Sequence, residues 1–220
     1  MNDVMSGPAK LIEKKRTRGR PAYSASVGAD VLLRHARRTF AKRGFDATSV
    51  REIARDAGVD PALIAHHFGS KEALWVAVVE QIADQAAPMI DATARLRSAT
   101  LGARERVEHA VVLFIDQVFD EPDLGMFFST AATEEGERFN ILIGRLVRPY
   151  HDVFVPLLED ASRAKELKPH HPEVMFSMLM NAISNTVAYH HMLRVFSSLP
   201  EDQTRFKRAV RDTALNMIGK

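Results

Sequence analysis

Residues 48–71, TSVREIARDAGVDPALIAHHFGSK, hold two helix starts and two helix stops so close together that the stretch must fold as a pair of short helices joined by a tight turn. Ser49 followed three positions later by Glu52 is a capping box: the hydroxyl takes an orphan backbone N–H and the carboxylate reaches back to the cap. Val50, Ile53, Ala54 and Ala57 recur three and four apart, giving one apolar face and turning Arg51 and Arg55 outward. Gly58 supplies the left-handed residue that ends a helix without steric cost. Asp60 then serves as N-cap of a second helix and Pro61 as its first residue, where a missing N–H costs nothing. Phe68 and Gly69 close that helix. Two helices joined by a short glycine-containing turn form the helix-turn-helix unit, whose second helix enters the major groove N-terminus first. The alternative for these residues is a plain hairpin inside a helical bundle, with His66 and His67 solvated.

The second helix sorts its residues by face. Leu63, Ile64 and Phe68 point to the neighbouring helices, leaving Pro61, Ala62, Ala65 and His66 outside, with His67 near the C-terminal end and Lys71 just beyond. Small residues at the tip admit close approach to base edges and offer methyl groups to thymine, while the histidines and Lys71 can meet phosphate oxygens. The candidate DNA-contacting set in this stretch is Thr48, Ser49, Arg51, Asp60, Pro61, Ala62, Ala65, His66, His67 and Lys71.

The stretch resembles the DNA-binding domain of the TetR family of bacterial transcriptional regulators. The resemblance rests on Phe40, Gly44, Phe45, Thr48, Val50, Arg51, Ile53, Ala54, Ala57, Gly58 and Val59, then His67, Phe68, Lys71, Glu72 and Leu74, and spans roughly residues 25–75. It implies a homodimer of all-α subunits, each with a three-helix reading head and a larger C-terminal helical bundle for ligand binding and dimerisation. It implies also that the protein is a repressor released from a palindromic operator by a small molecule. One departure matters: the family commonly has a phosphate-touching tyrosine where this chain has Ala65, and often a second aromatic where it has His66. Arg51, His66, His67 and Lys71 are therefore expected to carry more of the backbone contact.

Composition agrees. The formal charge of +2 conceals a split, with fourteen Lys and Arg against eight Asp and Glu up to Trp75, and sixteen against twenty beyond. Basic charge collects where counterion release would use it. The chain has no cysteine, which excludes disulfides, thiolate zinc sites and cysteine nucleophiles. No apolar run approaches the ~18 residues of a membrane span, and no apolar segment follows the basic N-terminus as a signal peptide requires. The reading is a soluble cytoplasmic protein without a membrane partner. Residues 1–22 read as a flexible basic arm in which Arg18-Gly19-Arg20-Pro21 is similar to a minor-groove AT-hook core, with a non-specific phosphate tether as the alternative for Arg18 and Arg20.

Residues 23–70 are assigned to the DNA-binding domain and 71–220 to the ligand-binding and dimerisation domain. A first helix carries Val27, Val31, Ala36 and Phe40, with Arg34, Arg37, Arg38 and Lys42 on its wetter faces, and a fourth runs from Ser70 to Pro88 as the lever between the domains. Helices follow over 103–119, around Leu124, Phe127 and Phe128, over 136–164 with kinks at Pro149 and Pro156, over 173–196, and from about Glu201. The helix over 173–196 is apolar nearly all round and needs a second cover. A partner subunit packed on it and on the last helix, in an isologous four-helix interface, supplies one; burial within a larger monomeric bundle is the other reading.

Phe114, Met126, Phe127, Phe128, Met175, Met178, Asn181, Asn185 and Tyr189 form the candidate ligand lining, an adaptable apolar set with a few hydrogen-bonding groups and little charge, suited to an apolar or amphipathic effector. His190 and His191 diverge by about 100° on a helix and cannot easily share an ion, and no HExxH spacing occurs. No catalytic residue, metal or cofactor is expected. Two functions remain open: a ligand-controlled repressor, favoured by a cavity among the candidate lining residues, and an architectural DNA-binding protein, favoured by a solid core there.

Overall fold

The computed structural model of the chain describes residues 28–168 and 170–219; the basic arm, with Arg18 and Arg20, lies outside the described residues. Every regular element among them is helical. The helix-turn-helix part consists of α1 (Ala29–Arg43), α2 (Val50–Ala57) and α3 (Pro61–Phe68), followed by the long α4 (Lys71–Leu96). Beyond it come α5 (Ala103–Asp120), α6 (Asp123–Ala131), α7 (Gly136–Leu142), α8 (Arg148–Arg163), α9 (Pro172–Ala188), the single turn α10 (His190–Leu193) and α11 (Gln203–Met217). The boundaries of α2 and α3 follow their caps. Ser49 forms the full capping box with Glu52, Gly58 sits at φ 68° and ψ 28° with its N–H on the Ala54 and Arg55 carbonyls, and Asp60 accepts from the Ala62 N–H.

Two apolar cores hold the molecule. The first joins Leu32, Ala36 and Phe40 of α1 to Ile53, Ile64, Leu74, Trp75, Val78 and Ile82, and extends to Leu124 and Phe127 of α6 and to Leu142 and Leu146. The second is built from α5, α8, α9 and α11 around Val111, Ile115, Phe154, Leu158, Leu179 and Phe206. The helix α6, although late in the chain, is thus part of the reading-head core.

Several elements differ from the sequence reading. Arg37 is not on a wet face but 2% exposed, with Nη1 donating to Gln85 and Nη2 to Glu121. The fourth helix does not stop at Pro88: it continues to Leu96 with Pro88 on the exposed side. The lost donor is one bond in a long helix held on both sides of the proline by buried Ile82, Met89 and Thr93, the last donating to the Met89 carbonyl. The kink expected at Pro149 becomes a wide π-turn over Ile143–Val147, a register that accommodates the missing proline N–H. The helix expected over 173–196 ends at Ala188, where Tyr189 leaves helical geometry and His190 Nδ1 takes the Val187 carbonyl at 2.9 Å. No glycine or proline marks that stop.

Candidate DNA interface and effector cavity

The exposed side of α3 carries Pro61, Ala62, Ala65, His66 and His67, and beside it Arg51 and Arg55 of α2 face solvent. Arg51 has no ion-pair or hydrogen-bond partner among the described residues, so its guanidinium is available to a polyanion. The rings of His66 and His67 lie 5.6 Å apart, edge to face. These are the expected face residues, and the fold brings them together on one surface.

Four polar members of the expected set do something else. Thr48 is buried and donates to the Gly44 carbonyl at 2.7 Å. Ser49 is occupied by the capping box, accepting from the Glu52 N–H. Asp60 caps α3 at 2.8 Å from the Ala62 N–H. Lys71 Nζ donates to the carbonyls of Phe45 and Thr48, both at 3.0 Å, and lies 4.2 Å from the centre of the Phe45 ring. Two of its three N–H groups fasten the loop before α2 to the start of α4. Lys71 therefore positions the reading head, with one N–H left over on a half-exposed side chain. Sequence offered no sign of this, because the loop carbonyls that Lys71 meets are far from it along the chain.

Electrostatics support the local folds. The Ser49 backbone N–H, then its hydroxyl, hold the Glu52 carboxyl below its ordinary range, with Arg43 at 2.6 Å adding to the effect. The carboxyl of Glu72 is lowered by its own backbone N–H and the Ser70 hydroxyl at the start of α4.

Behind the reading head, α6 lies against α1. Thr130 Oγ1 donates to the Ala41 carbonyl at 2.8 Å, Arg38 pairs with Asp123 at 2.9 Å, and Arg37 reaches Glu121 just before α6. Arg138 of α7 lies 4.0 Å from the Phe45 ring centre, on a ring that Lys71 also approaches. On its other side α6 meets α9 so closely that a Cβ built on Gly125 would stand 2.5 Å from the Ser184 carbonyl oxygen; only glycine fits there.

Between α4, α5, α6, α8 and α9 lies a cavity of about 270 Å³. Of the expected ligand lining it takes Phe114, Phe128, Asn181 and Asn185. The others are placed elsewhere. Phe127 is 1% exposed and stacks on Trp75 at 6.2 Å in the reading-head core, and Met126 packs against that same core. Met175 packs on the second core, Met178 is 54% exposed on the outer side of α9, and Tyr189 forms the end of that helix. The spacing of aromatic and methionine residues identifies apolar stripes but not which neighbour each stripe meets. Sequence reasoning missed Ile82, Met89, Tyr150, Phe176 and Met180, all on the cavity wall. The buried Tyr150 hydroxyl donates to the Ala110 carbonyl at 3.2 Å, and burial raises it well above the usual tyrosine range, so it stays a neutral donor. Among the described residues no group of three His, Asp or Glu could hold a metal ion, and no helix is long and apolar enough to cross a membrane.

Comparison with known proteins agrees with this geometry. Residues 32–78 match the family described as bacterial regulatory proteins, tetR family. The transcriptional regulator RutR of Escherichia coli K12 is 38% identical over 69 residues, 31% of this chain and 32% of its own length. The transcriptional repressor KstR2 of Mycolicibacterium smegmatis is 34% identical over 109 residues, 44% of this chain and 53% of its own. The chain thus matches about a third to a half of these relatives, 32% and 53% of their lengths. The structure of FadR from Bacillus subtilis in complex with stearoyl-CoA superposes with a TM-score of 0.61 at 16% identity, over 87% of this chain and 97% of that one, a likeness of fold. Residues 32–78, with their capped helix-turn-helix, thus match the tetR family of bacterial regulatory proteins, and the helical body shares its fold with FadR.

Proposed function

We propose that the chain is a homodimeric repressor that binds a palindromic operator through α3 and releases it when an apolar or amphipathic small molecule enters the cavity. One observation carries the reading: α6 is a wall of the cavity through Gly125 and Phe128 and part of the reading-head core through Leu124 and Phe127. A ligand that moves α6 moves the support of α1, which gives the two sites a shared element whose equilibrium each can bias. An architectural protein has no use for a void at this position. Two-fold assembly is supported by Val174, Met178, Met192, Val195 and Phe196, exposed along α9 and beyond, next to a groove between α9 and α11 that includes Thr186, Leu193 and Met217. A symmetric dimer on this face presents two α3 helices to two half-sites. The arm with Arg18 and Arg20 adds minor-groove or phosphate contact, and the protein works in the cytoplasm on chromosomal DNA.

The test is selection of bound duplexes from a random pool at near-physiological salt. The expected product is a palindrome with half-sites spaced for a two-fold dimer, and Arg51→Ala should lower the preference for it. Recovery of unordered or merely A·T-rich sequences would overturn operator specificity in favour of the architectural function.

A further inference from the structure

The cavity wall contains no Lys, Arg, Asp, Glu or His. Its one titratable group, Tyr150, is kept neutral by burial. Of the ionisable side chains next to lining residues, His151 Nδ1 lies 2.9 Å from Asp152, Arg145 pairs with Glu80 at 3.0 Å, and Asp91 and Arg148 are exposed. A carboxylate, phosphate or ammonium drawn into this cavity would lose its hydration and meet no countercharge, which penalises the charged form strongly.

Polar capacity is nonetheless present, mostly on α9, with Gln117 on α5 and Ser129 on α6 adding to it. The wall formed by α9 offers Ser177, Asn181, Ser184 and Asn185, three and four residues apart and so on one face, whereas α4 contributes apolar side chains such as Ile82, Met89 and Ile90. Asn181 already donates to the Ser177 carbonyl at 2.8 Å. The amides of Asn185 on α9 and Gln117 on α5 have no partner among the described residues. Both side chains are half-buried, so each amide can exchange solvent for a ligand's hydroxyl or carbonyl.

We infer that the effector is a neutral lipophilic molecule with one uncharged hydrogen-bonding group, an alcohol, ketone or ester, and that ionised acids and acyl-CoA thioesters are excluded; this rests on the ligand-controlled reading above. The hydrogen-bonding group meets the polar face of α9 at Asn185, and the hydrocarbon lies against α4 and α6. A cavity of about 270 Å³ takes roughly nine non-hydrogen atoms at the ~30 Å³ of a water-sized group. The inference separates this chain from FadR of Bacillus subtilis, whose fold it shares and which was crystallised with stearoyl-CoA.

The experiment uses the full chain on its selected operator, with octan-1-ol, octan-2-one, octanoate and octanoyl-CoA as probes, reading binding by calorimetry and operator release by fluorescence anisotropy. Octanol and octanone should bind at least tenfold more tightly than octanoate at neutral pH and release the operator, while octanoyl-CoA should do neither. Octanoate should improve as the pH falls toward its own pKa. Asn185→Leu should weaken octanol binding severalfold with the thermal midpoint retained, and Asn185→Ser, which keeps a hydrogen-bonding group there, should lose less. Release by octanoate or octanoyl-CoA at equal or lower concentration overturns the neutral-effector inference but leaves ligand control intact. Absence of binding and release with all four probes overturns both.

Discussion

The centre of the reading-head core and the border between the two cores are built to opposite specifications. In the reading-head core the large side chains are fully enclosed and interlocked: Phe40 stacks on Phe45 at 5.9 Å, Phe45 meets Trp75 edge-on at 6.4 Å, and Trp75 stacks on Phe127 at 6.2 Å. Thr48, Ser49 and Lys71 spend their polar groups on their own scaffold, and Arg37 spends two of its nitrogens there while its Nε is buried without a partner. Where this core borders the second there is a void, lined by Ile82, Leu124, Leu142 and Leu146 from the first and by Met89, Val118, Tyr150 and Phe176 from the second, with the amides of Gln117 and Asn185 unpartnered among the described residues. A reading surface must hold its geometry before DNA arrives, and close packing with satisfied polar groups provides that. Under the proposed ligand control, the cavity must instead leave packing incomplete, so that a ligand can supply it and gain differential affinity for one conformation.

Neighbouring phenylalanines on α6 give the sharpest way to break this comparison. Phe127 faces the filled core and Phe128 the cavity. Phe127→Ala should destabilise the protein by about 3–5 kcal/mol, the cost of a new hole in a packed core. Phe128→Ala enlarges a hole that already exists and should cost only about 1–2 kcal/mol. Urea denaturation measures both; equal losses would mean that the two cores are packed alike.

The helix between them sets the next effect. Gly125→Ala would place a methyl group 2.5 Å from the Ser184 carbonyl oxygen and 2.9 Å from Ala188 Cβ. Since the obstruction is α9 backbone, α6 must shift toward α1. The expected cost is about 1–3 kcal/mol, typical of overpacking, accompanied by altered operator affinity even without ligand. An unchanged urea midpoint would show that α6 and α9 can separate freely, and that α6 is not a stiff wall between the sites.

A third test concerns Lys71, where charge would have been read as DNA contact. Its two bonds to loop carbonyls and its position over Phe45 predict that Lys71→Ala destabilises free protein by about 1–2 kcal/mol, after allowance for partial exposure. If Lys71 served only phosphates, the free protein would keep its midpoint, and only the salt dependence of DNA binding would become shallower.

Lys71 also shows where sequence stops being informative. The helices of the reading head were legible because local rules decide them: the Ser49–Glu52 box, Gly58 with its positive φ, and Pro61 at the first turn. Their exposed face was legible from period alone. Contacts between distant segments were not, since nothing local tells Lys71 that it will meet Phe45, or Arg37 that Glu121 will arrive on another helix. The cavity was legible in kind and only partly in membership. Phe114, Phe128, Asn181 and Asn185 line it, but Phe127, one residue from Phe128, points to Trp75. A helix turns about 100° per residue, so neighbours serve different cores, and which core is decided by packing that composition does not encode. Pro88 was misleading for a related reason: buried residues on both sides keep α4 helical through it.

The smallest expected effect comes from acid, and it acts on one region only. Glu52 has its carboxyl held below its ordinary value of 4.5, first by the Ser49 N–H and then by the Ser49 hydroxyl. A carboxyl with a depressed folded pKa contributes stability that is complete above the unfolded value and is lost as pH falls through the folded one. The difference in thermal midpoint between the parent and Glu52→Gln should therefore be largest above about pH 5 and shrink toward pH 3. The cavity has no carboxylate to protonate. The affinity of folded protein for octan-1-ol should accordingly stay flat over the same interval while the α2 cap weakens. A constant midpoint difference would remove Glu52 from the cap's energetics, and an octanol affinity that follows the same acid curve would tie the two regions together in a way the separate cores do not predict.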